Sequence, residues 1–193
     1  MAHKILFLGY DKSRTCLIKE LEKHGCTIDQ TTEKLDWDKD YNNYNLIVSF
    51  GYSHIIPAEF LEKHPRKTIN LHISYLPFNR GAHPNFWAFY DGTPHGVTIH
   101  EVDQGVDTGD IIYQKKVSFS DEKNFAETYA RLISEIEQLF IENIPDLLAG
   151  DYTPASQQGE GTYHKLSDLP DFDGGWEADI EATISALKMS KGR

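Results

Sequence analysis

Hydrophobic residues near the start of the chain are concentrated in two short runs, at 5–9 and 46–51, each ending at a glycine and the second interrupted only by Ser49. Runs of this length bounded by glycine are typical of strands that are buried on both faces. Between them, apolar residues recur at helical spacing over 13–24, and residues 27–31 have the pattern of a further strand. This order of elements predicts a mostly parallel sheet that is covered by helices.

The second half of the chain continues the pattern and contains the longest predicted helix, over 122–148, in which Pro145 is expected to introduce a kink. We therefore expect an α/β fold in which a mostly parallel, twisted sheet carries helices on both faces. Residues 151–193 carry eight acidic and four basic side chains and are predicted to form a short C-terminal extension of a domain over 1–150. Further strands are predicted over 68–74, 97–100 and 111–113, and a short helix over 85–90.

The predicted strand 68–74 carries a stripe of polar side chains on one face. Because side chains alternate across a strand, Asn70, His72 and Ser74 share one face, and the apolar residues between them share the other. A central strand of a doubly wound sheet is apolar on both faces, and ligands bind at the carboxyl ends of such strands. The stripe therefore indicates a functional site, although an edge strand with one solvated face explains the same spacing equally well.

Two loops are candidates to complete such a site. Residues 77–84 follow the polar strand directly, and residues 105–110 place Asp107 between two glycines, which allow the backbone to approach a ligand closely. Taken singly, the loops are equally consistent with a simple connection and a tight turn. An amide donor, an imidazole and a carboxylate together suit acyl transfer to an amine. A covalent nucleophile is not expected, because neither cysteine lies near these segments and the chain has no Gly-x-Ser-x-Gly motif.

Four blocks of the sequence carry a resemblance to a known family. In order, spacing and residue type they resemble the N10-formyltetrahydrofolate-dependent formyltransferase family. The resemblance implies a Rossmann-like formyltransferase fold over residues 1–150, with N10-formyltetrahydrofolate as the formyl donor. The four blocks are Asn70–Pro77, Arg80–Gly81, Gly96–His100 and Gly105–Ile112.

The resemblance also implies roles for individual residues. Asn70 and His72 are expected to stabilise the negative charge that develops on the formyl oxygen, and Asp107 to assist His72 and carry the amine proton. The folate is expected against the loop after the run 46–51, and the acceptor against the polar stripe and its following loop. The folate-binding residues are then His54, Ile55, Ile56, Asp103 and Gln104, and the acceptor-binding residues are Ser74, Asn79, Arg80, His83 and His100.

The formal net charge of −11, from 30 acidic and 19 basic residues, bears on the acceptor. An acidic surface binds phosphate backbones poorly, so no nucleic acid partner is expected. Methionyl-tRNA enzymes of this family carry a C-terminal barrel, for which residues 151–193 are too few and too acidic. The glycinamide-ribonucleotide branch has a glycine-rich phosphate loop after its first strand, whereas residues 9–13 contain a single glycine. Residues 74–87 and 93–96 most resemble enzymes that formylate nucleotide-linked amino sugars, and this small-molecule amine is the predicted acceptor.

Several alternatives and expected absences complete the prediction. Glycinamide ribonucleotide formyltransferase of purine synthesis, a formyltetrahydrofolate hydrolase and a catalytically inactive folate-binding module all stay open. The nine histidines form no metal-binding motif, so no metal is expected. No stretch approaches the about 20 apolar residues of a membrane span, so we expect a cytoplasmic protein with no membrane partner. A homodimer also stays open.

Overall fold

A six-stranded sheet forms the centre of the structure, a computed structural model that describes residues 3–36 and 38–191. The large sheet contains β1 (Lys4–Gly9), β2 (Thr27–Thr31), β3 (Leu46–Phe50), β4 (Thr68–His72), β6 (Gly96–Glu101) and β7 (Ile111–Lys116), and a second, two-stranded sheet pairs β5 (Arg80–Gly81) with β8 (Tyr163–His164). The strand order is β2–β1–β3–β4–β6–β7. The first four of these run parallel, and the pairs β4–β6 and β6–β7 are antiparallel. The predicted α/β fold with a mostly parallel sheet is confirmed.

Both faces of the sheet are buried, as the continuous apolar runs predict. On one face Ile5, Phe7, Val48, Ile69 and Leu71 belong to a single core, which also contains side chains of the helices that cover it. On the other face a smaller core is formed by Leu6, Leu8, Ile47, Phe60 and Leu61, with Tyr41 beside them. Alternation along each strand divides the residues between the two cores, so the register of the sheet follows directly from the sequence pattern.

The three predicted helices lie where the sequence pattern places them, with different bounds, and the structure adds two helices over 58–63 and 180–191 that were not predicted. The helices are α1 (Leu17–Lys23), α2 (Ala58–Lys63), α3 (Pro84–Asp91), α4 (Phe125–Glu142), α5 (Ile144–Ala149) and α6 (Ile180–Lys191). The prediction of a single helix over 122–148 is wrong. The helix is interrupted at Asn143, and Pro145 lies in the first turn of the next helix, α5. Proline is tolerated there, since the first turn of a helix leaves its N–H groups unpaired anyway. At the N-terminal end, the side chain of Asn124 accepts a hydrogen bond from the Glu127 N–H and caps α4.

The segment 151–193 packs back onto the domain through several separate contacts. Ala155 forms an antiparallel bridge with Ile111, and β8 pairs with β5 in the loop after β4. The rings of Trp87 and His164 stack with centroids 3.8 Å apart, and His164 Nε2 lies 2.7 Å from an Asp91 carboxylate oxygen. The described part of this segment is therefore integrated with residues 3–150 in its packing.

Within residues 3–36 and 38–191, none of the helices combines the length and the apolar character needed to cross a bilayer. The cytoplasmic location and the homodimer stay predictions.

Candidate active site

A cavity of about 1090 Å³ opens at the carboxyl ends of β1, β3 and β4. Tyr10 follows β1, residues 51–56 follow β3, and Ile73 follows β4, and all of them line this cavity. Ligands of open α/β sheets bind at the carboxyl ends of the strands, because the loops there leave a crevice between the strand ends. The position of the cavity agrees with the site that the polar stripe predicts.

Strand β4 presents Asn70 and His72 to the cavity. Ile69 and Leu71 belong to the buried core of the sheet, although Leu71 and Ile73 also reach the cavity lining, so the predicted alternation holds only as far as His72. The strand ends at His72, and Ser74 lies beyond it. Asn70 is paired with His100 of the neighbouring β6, and this register brings a second imidazole to the same face.

Hydrogen bonds fix which nitrogen of each histidine ring faces the centre of the site. His72 Nε2 lies 3.0 Å from the Asn79 carbonyl oxygen, and His100 Nδ1 lies 2.7 Å from the Glu101 carbonyl oxygen. A carbonyl accepts only, so each of these nitrogens carries the hydrogen in the neutral ring. His72 Nδ1 and His100 Nε2 are thereby left to face the carboxylate of Asp107 at 3.6 and 3.4 Å.

Asp107 lies at the centre of these contacts. Asn70 Nδ2 donates to its Oδ1 at 3.2 Å, and the Gly81 N–H donates to its Oδ2 at 2.9 Å. The backbone of Asp107 is in the left-handed region, with φ of 53°. Few non-glycine residues adopt this conformation, and those that do are concentrated at functional sites. The structure therefore brings Asn70, His72, His100 and Asp107 into one connected group.

Opposing effects act on the pKa of the Asp107 carboxyl group. Burial raises this pKa, but the charge of His72, the hydrogen bond and charge of His100, and the Gly81 N–H lower it by more, so the pKa lies well below its usual range. The carboxylate consequently stays ionised throughout the neutral range. An ionised carboxylate at this position can accept a proton from a neighbouring group.

The predicted folate-binding residues all line the cavity. Three of them follow β3 and two follow β6 on the opposite side, namely His54, Ile55, Ile56, Asp103 and Gln104. Two apolar side chains at the lip remain open to solvent: Ile55 is 85% exposed and Val106 is 50% exposed. Large exposed apolar side chains that line a cavity are typical of a surface that a ligand covers.

The predicted acceptor-binding residues divide into two groups. His83 and His100 line the cavity, whereas Ser74, Asn79 and Arg80 do not. Ser74 donates to the Phe78 carbonyl at 2.8 Å. Asn79 is fully buried and bonds Thr93 and Thr162, and the Arg80 Nε donates to Gln157 at 3.2 Å. These three side chains are engaged in holding the loop 75–83, and the structure does not bring them to the cavity.

Some cavity residues were missed by the sequence reasoning. Tyr10 and Tyr129 share a hydrogen bond of 2.8 Å between their hydroxyl groups, and both line the cavity. Trp176, from the segment 151–193, is 44% exposed and lies against the His83 ring with centroids 5.3 Å apart. Gly81 belongs to one of the four blocks, but nothing in the sequence indicates that its N–H binds Asp107. No local pattern marks these residues, because their neighbours in space are remote in sequence.

Gly81 also shows why a glycine is required at that position. Its φ is 85°, and a Cβ atom there would collide with the His164 carbonyl oxygen and the Tyr163 ring. Any side chain would push β8 away from β5 or move the N–H that binds Asp107. The glycine therefore serves both the strand pairing and the site.

Comparison with known proteins decides the family. Residues 37–144, more than half of the chain, match the family described as formyl transferase. The chain belongs to the formyl transferase family. The family predicted from the four blocks is confirmed.

Relatives of this formyl transferase include enzymes with different acceptors. Methionyl-tRNA formyltransferase from Thermodesulfovibrio yellowstonii is 42% identical over 63% of this chain and 40% of its own length. A dTDP-4-amino-4,6-dideoxyglucose formyltransferase from Mycobacterium bovis is 32% identical over 65% of this chain and 53% of its own. The chain thus spans about half the length, or less, of these curated relatives.

A solved structure matches this formyl transferase over nearly its full length. It is the formyltransferase PseJ from Anoxybacillus kamchatkensis, in complex with UDP-4,6-dideoxy-4-formamido-L-AltNAc and tetrahydrofolate. The two chains are 40% identical with a TM-score of 0.86, and the match covers 92% of this chain and 96% of PseJ. Because the match leaves so little of either chain uncovered, it includes part of the segment after residue 150.

Proposed function

We propose that this formyl transferase moves a formyl group from N10-formyltetrahydrofolate to the primary amine of a nucleotide-linked amino sugar. The observation that carries the proposal is the cluster of Asn70, His72 and Asp107 at the sheet edge, inside a cavity with room for two ligands. In this proposal residues 1–150 are the catalytic domain, and residues 151–193 are an extension that completes the cavity wall.

The residues around the cavity suit a folate. Ile55, Ile56 and Val106 offer apolar surface to a flat ring system, and the backbone around Asp103 and Gln104 offers polar groups beside it. The loop 103–108 is held in shape, because the Asp103 carboxylate accepts from the Gly105 N–H at 3.0 Å and the Thr108 hydroxyl at 2.6 Å. Gln104 donates to Glu62 of α2 at 2.8 Å, which fixes the loop to a helix. A formylated folate supplies the formyl carbon and the nitrogen that leaves.

Asn70 and His72 act on the formyl oxygen in the proposed reaction. As the amine nitrogen bonds to the formyl carbon, negative charge develops on that oxygen and the bond from the carbon to N10 breaks. The Asn70 amide and, in the imidazolium form of the ring, His72 Nδ1–H are the donors that stabilise this charge in the proposal. Donors placed in advance act strongly because no reorganisation is needed during the reaction.

Asp107 transfers the proton from the attacking amine to the leaving folate in the proposed reaction. The attacking amine must lose one proton, and N10 of the leaving folate must gain one. In this proposal the Asp107 carboxylate, which is ionised and lies between His72 and His100, accepts the amine proton and returns it to N10, directly or through water. The acceptor leaves as a formamide and the donor as tetrahydrofolate, so no other reactant is needed.

Aromatic residues in the cavity wall support a nucleotide-linked acceptor. Tyr10, Tyr129, His83 and Trp176 all line the cavity, and aromatic faces bind nucleobases by stacking. The guanidinium of Arg14 lies 4.5 Å from the Tyr10 ring centre and supplies positive charge near that ring. The near-complete match to PseJ, whose ligand is a UDP-linked formamido sugar, favours the same acceptor class. The acidic composition disfavours tRNA.

An acceptor panel tests the proposal. The enzyme is given N10-formyltetrahydrofolate with UDP-linked and dTDP-linked 4-amino sugars, glycinamide ribonucleotide, methionyl-tRNA or no acceptor, and tetrahydrofolate release and product mass are followed. We expect turnover with a nucleotide-linked amino sugar and a product that has gained one formyl group, with the His72→Ala variant as the background control. Turnover confined to the ribonucleotide or to methionyl-tRNA would overturn the acceptor class, and release without any acceptor would indicate a hydrolase.

A further inference from the structure

The side chain of Gln157 makes three hydrogen bonds, two of them to the loop that carries Asp107. We infer that Gln157 is a positioning residue, which acts on the reaction by holding the backbone of Asp107 in place. The inference rests on the proposed function of Asp107, and it assigns to the segment after residue 150 a part in catalysis beyond that of a covering wall.

The hydrogen bonds of Gln157 use the whole amide group. Its Nε2 donates to the Asp107 carbonyl oxygen at 2.8 Å and to the Gly109 carbonyl oxygen at 2.9 Å. Its Oε1 accepts from the Arg80 Nε at 3.2 Å. Both amide hydrogens and the amide oxygen are therefore engaged, and the side chain is half-buried. No other side chain type of this size offers two adjacent donors and an acceptor in this arrangement.

The loop needs such support because Asp107 is held in a sparsely populated conformation. A non-glycine residue in the left-handed region is strained and persists only where the surrounding structure holds it. The two hydrogen bonds from Gln157 to the Asp107 and Gly109 carbonyl oxygens help to offset this strain. Without them the backbone of Asp107 is free to relax, and the carboxylate moves away from His72 Nδ1, which already lies at 3.6 Å.

The segment around Gln157 is itself fixed to the sheet. Two residues earlier, Ala155 exchanges two backbone hydrogen bonds with Ile111, at 2.8 and 2.9 Å. On the other side Arg80 precedes Gly81, whose N–H binds the Asp107 carboxylate. Gln157 thus connects the backbone of Asp107 to the strand β5, which holds the carboxylate of the same residue.

Gln157→Ala and Gln157→Glu test this role, with Gln158→Ala as the control. Glu keeps the size of Gln157 and an oxygen for Arg80 but replaces the two donated hydrogens with an acceptor. Gln158 is exposed, and its side chain bonds only the Ser156 carbonyl in the described structure, so its removal leaves the loop of Asp107 untouched. We expect both Gln157 variants to lose about tenfold to a hundredfold in kcat, with each KM within about threefold of its original value, because small misplacements of a reacting group reduce kcat strongly. The control should keep its kcat.

A second measurement separates positioning from simple stabilisation and does not depend on turnover. Carboxyl ¹³C NMR at about pH 4, near the ordinary midpoint of an aspartate, reports how much of Asp107 is protonated. The contacts with His72 and His100 keep Asp107 ionised in the unchanged protein, and we expect Gln157→Ala to show partial protonation because those contacts are lost.

A folded Gln157→Ala or Gln157→Glu protein with normal kcat, or a lower melting temperature as the sole change, would overturn the inference. If one variant fails to fold, the other decides by the same criteria. If the unchanged enzyme turns over no acceptor, the proposed function fails, and the NMR comparison alone decides whether Gln157 positions Asp107.

Discussion

The end of β4 and the loop 103–110 form two sides of the same site, but they are held by different means. Asn70 and His72 are placed by the strand ladder, since β4 pairs with β3 on one side and β6 on the other. Asp107 is placed by single hydrogen bonds from remote segments, through Gly81 and Gln157. The strand side is therefore supported by many backbone contacts at once, whereas the loop side depends on a few. Substitutions outside the cavity should disturb the loop side first.

The largest effect is expected from Asp107→Asn, which removes the proton acceptor on the loop side. An amide is the same size, but it cannot carry a proton, and its NH₂ group must face a donor, either the Gly81 N–H or Asn70 Nδ2. We expect kcat to fall by about 10³-fold or more while the protein stays folded. Steady-state kinetics and circular dichroism measure the two quantities.

Asp110→Asn provides the matched control for that change. It alters the charge in the same loop by the same amount, but Asp110 does not line the cavity. A normal kcat for Asp107→Asn, or an equal loss in both variants, would remove Asp107 from the mechanism.

On the strand side, Asn70→Ala and His72→Ala should each lower kcat by about 10²–10³-fold, because each removes one donor to the formyl oxygen. Ser74→Ala belongs to the same polar stripe in the sequence, but its side chain lies outside the cavity, so a loss below about tenfold is expected. Equal losses in all three variants would show that the alternation along β4 does not define the catalytic face. Single-turnover rates with saturating folate make the comparison.

A smaller effect is expected from Trp176→Ala, in the cavity wall. Stacking of a base on an aromatic ring contributes about 1–3 kcal/mol. Because Trp176 is partly exposed, we expect KM for a nucleotide-linked acceptor to rise about fivefold to tenfold, with KM for the folate unchanged. Trp176→Phe keeps an aromatic face and should recover most of the affinity. A rise in the folate KM instead would place the folate, and not the acceptor, against Trp176.

The smallest effect on activity is expected at His95, whose substitution should change stability instead. His95 lies away from the site, between Phe89 and Phe119. Burial lowers the pKa of His95 to about 4, from 6.5. The unfolded chain therefore binds the extra proton first, so stability is complete above about pH 6.5 and falls as the pH decreases toward 4. Each pH unit in this window costs at most about 1.4 kcal/mol, and a loss of about 2 kcal/mol is expected between pH 7 and pH 5.

His95→Phe should remove this part of the pH dependence, because phenylalanine fits the same aromatic environment and carries no proton. Urea unfolding at about pH 7 and pH 5 measures it, with His24→Phe at the exposed end of α1 as the control. Identical pH profiles for His95→Phe and the unchanged protein would show that His95 is not protonated on unfolding in this window.

The same division between strands and loops explains what the sequence could predict. Alternation along β4 placed Asn70 and His72 on one face, and continuous apolar runs predicted a sheet buried on both sides. The short helix α2 has too few residues to show a helical period. The role of Gln157 was not predictable, since it bonds Asp107 across 50 positions of the chain. Ile180, Ile184 and Leu187 have helical spacing, yet they pack on the cluster around Phe86 only once the tail has folded back.

The most direct test of the account is the structure of the enzyme with tetrahydrofolate and a UDP-linked amino sugar bound together. We expect the folate ring system against Ile55, Ile56 and Val106, and the sugar nucleotide against Trp176. The folate N10 and the sugar amine should then meet beside Asn70, His72 and Asp107. A structure in which both ligands are bound and these three side chains contact neither reacting nitrogen would contradict it.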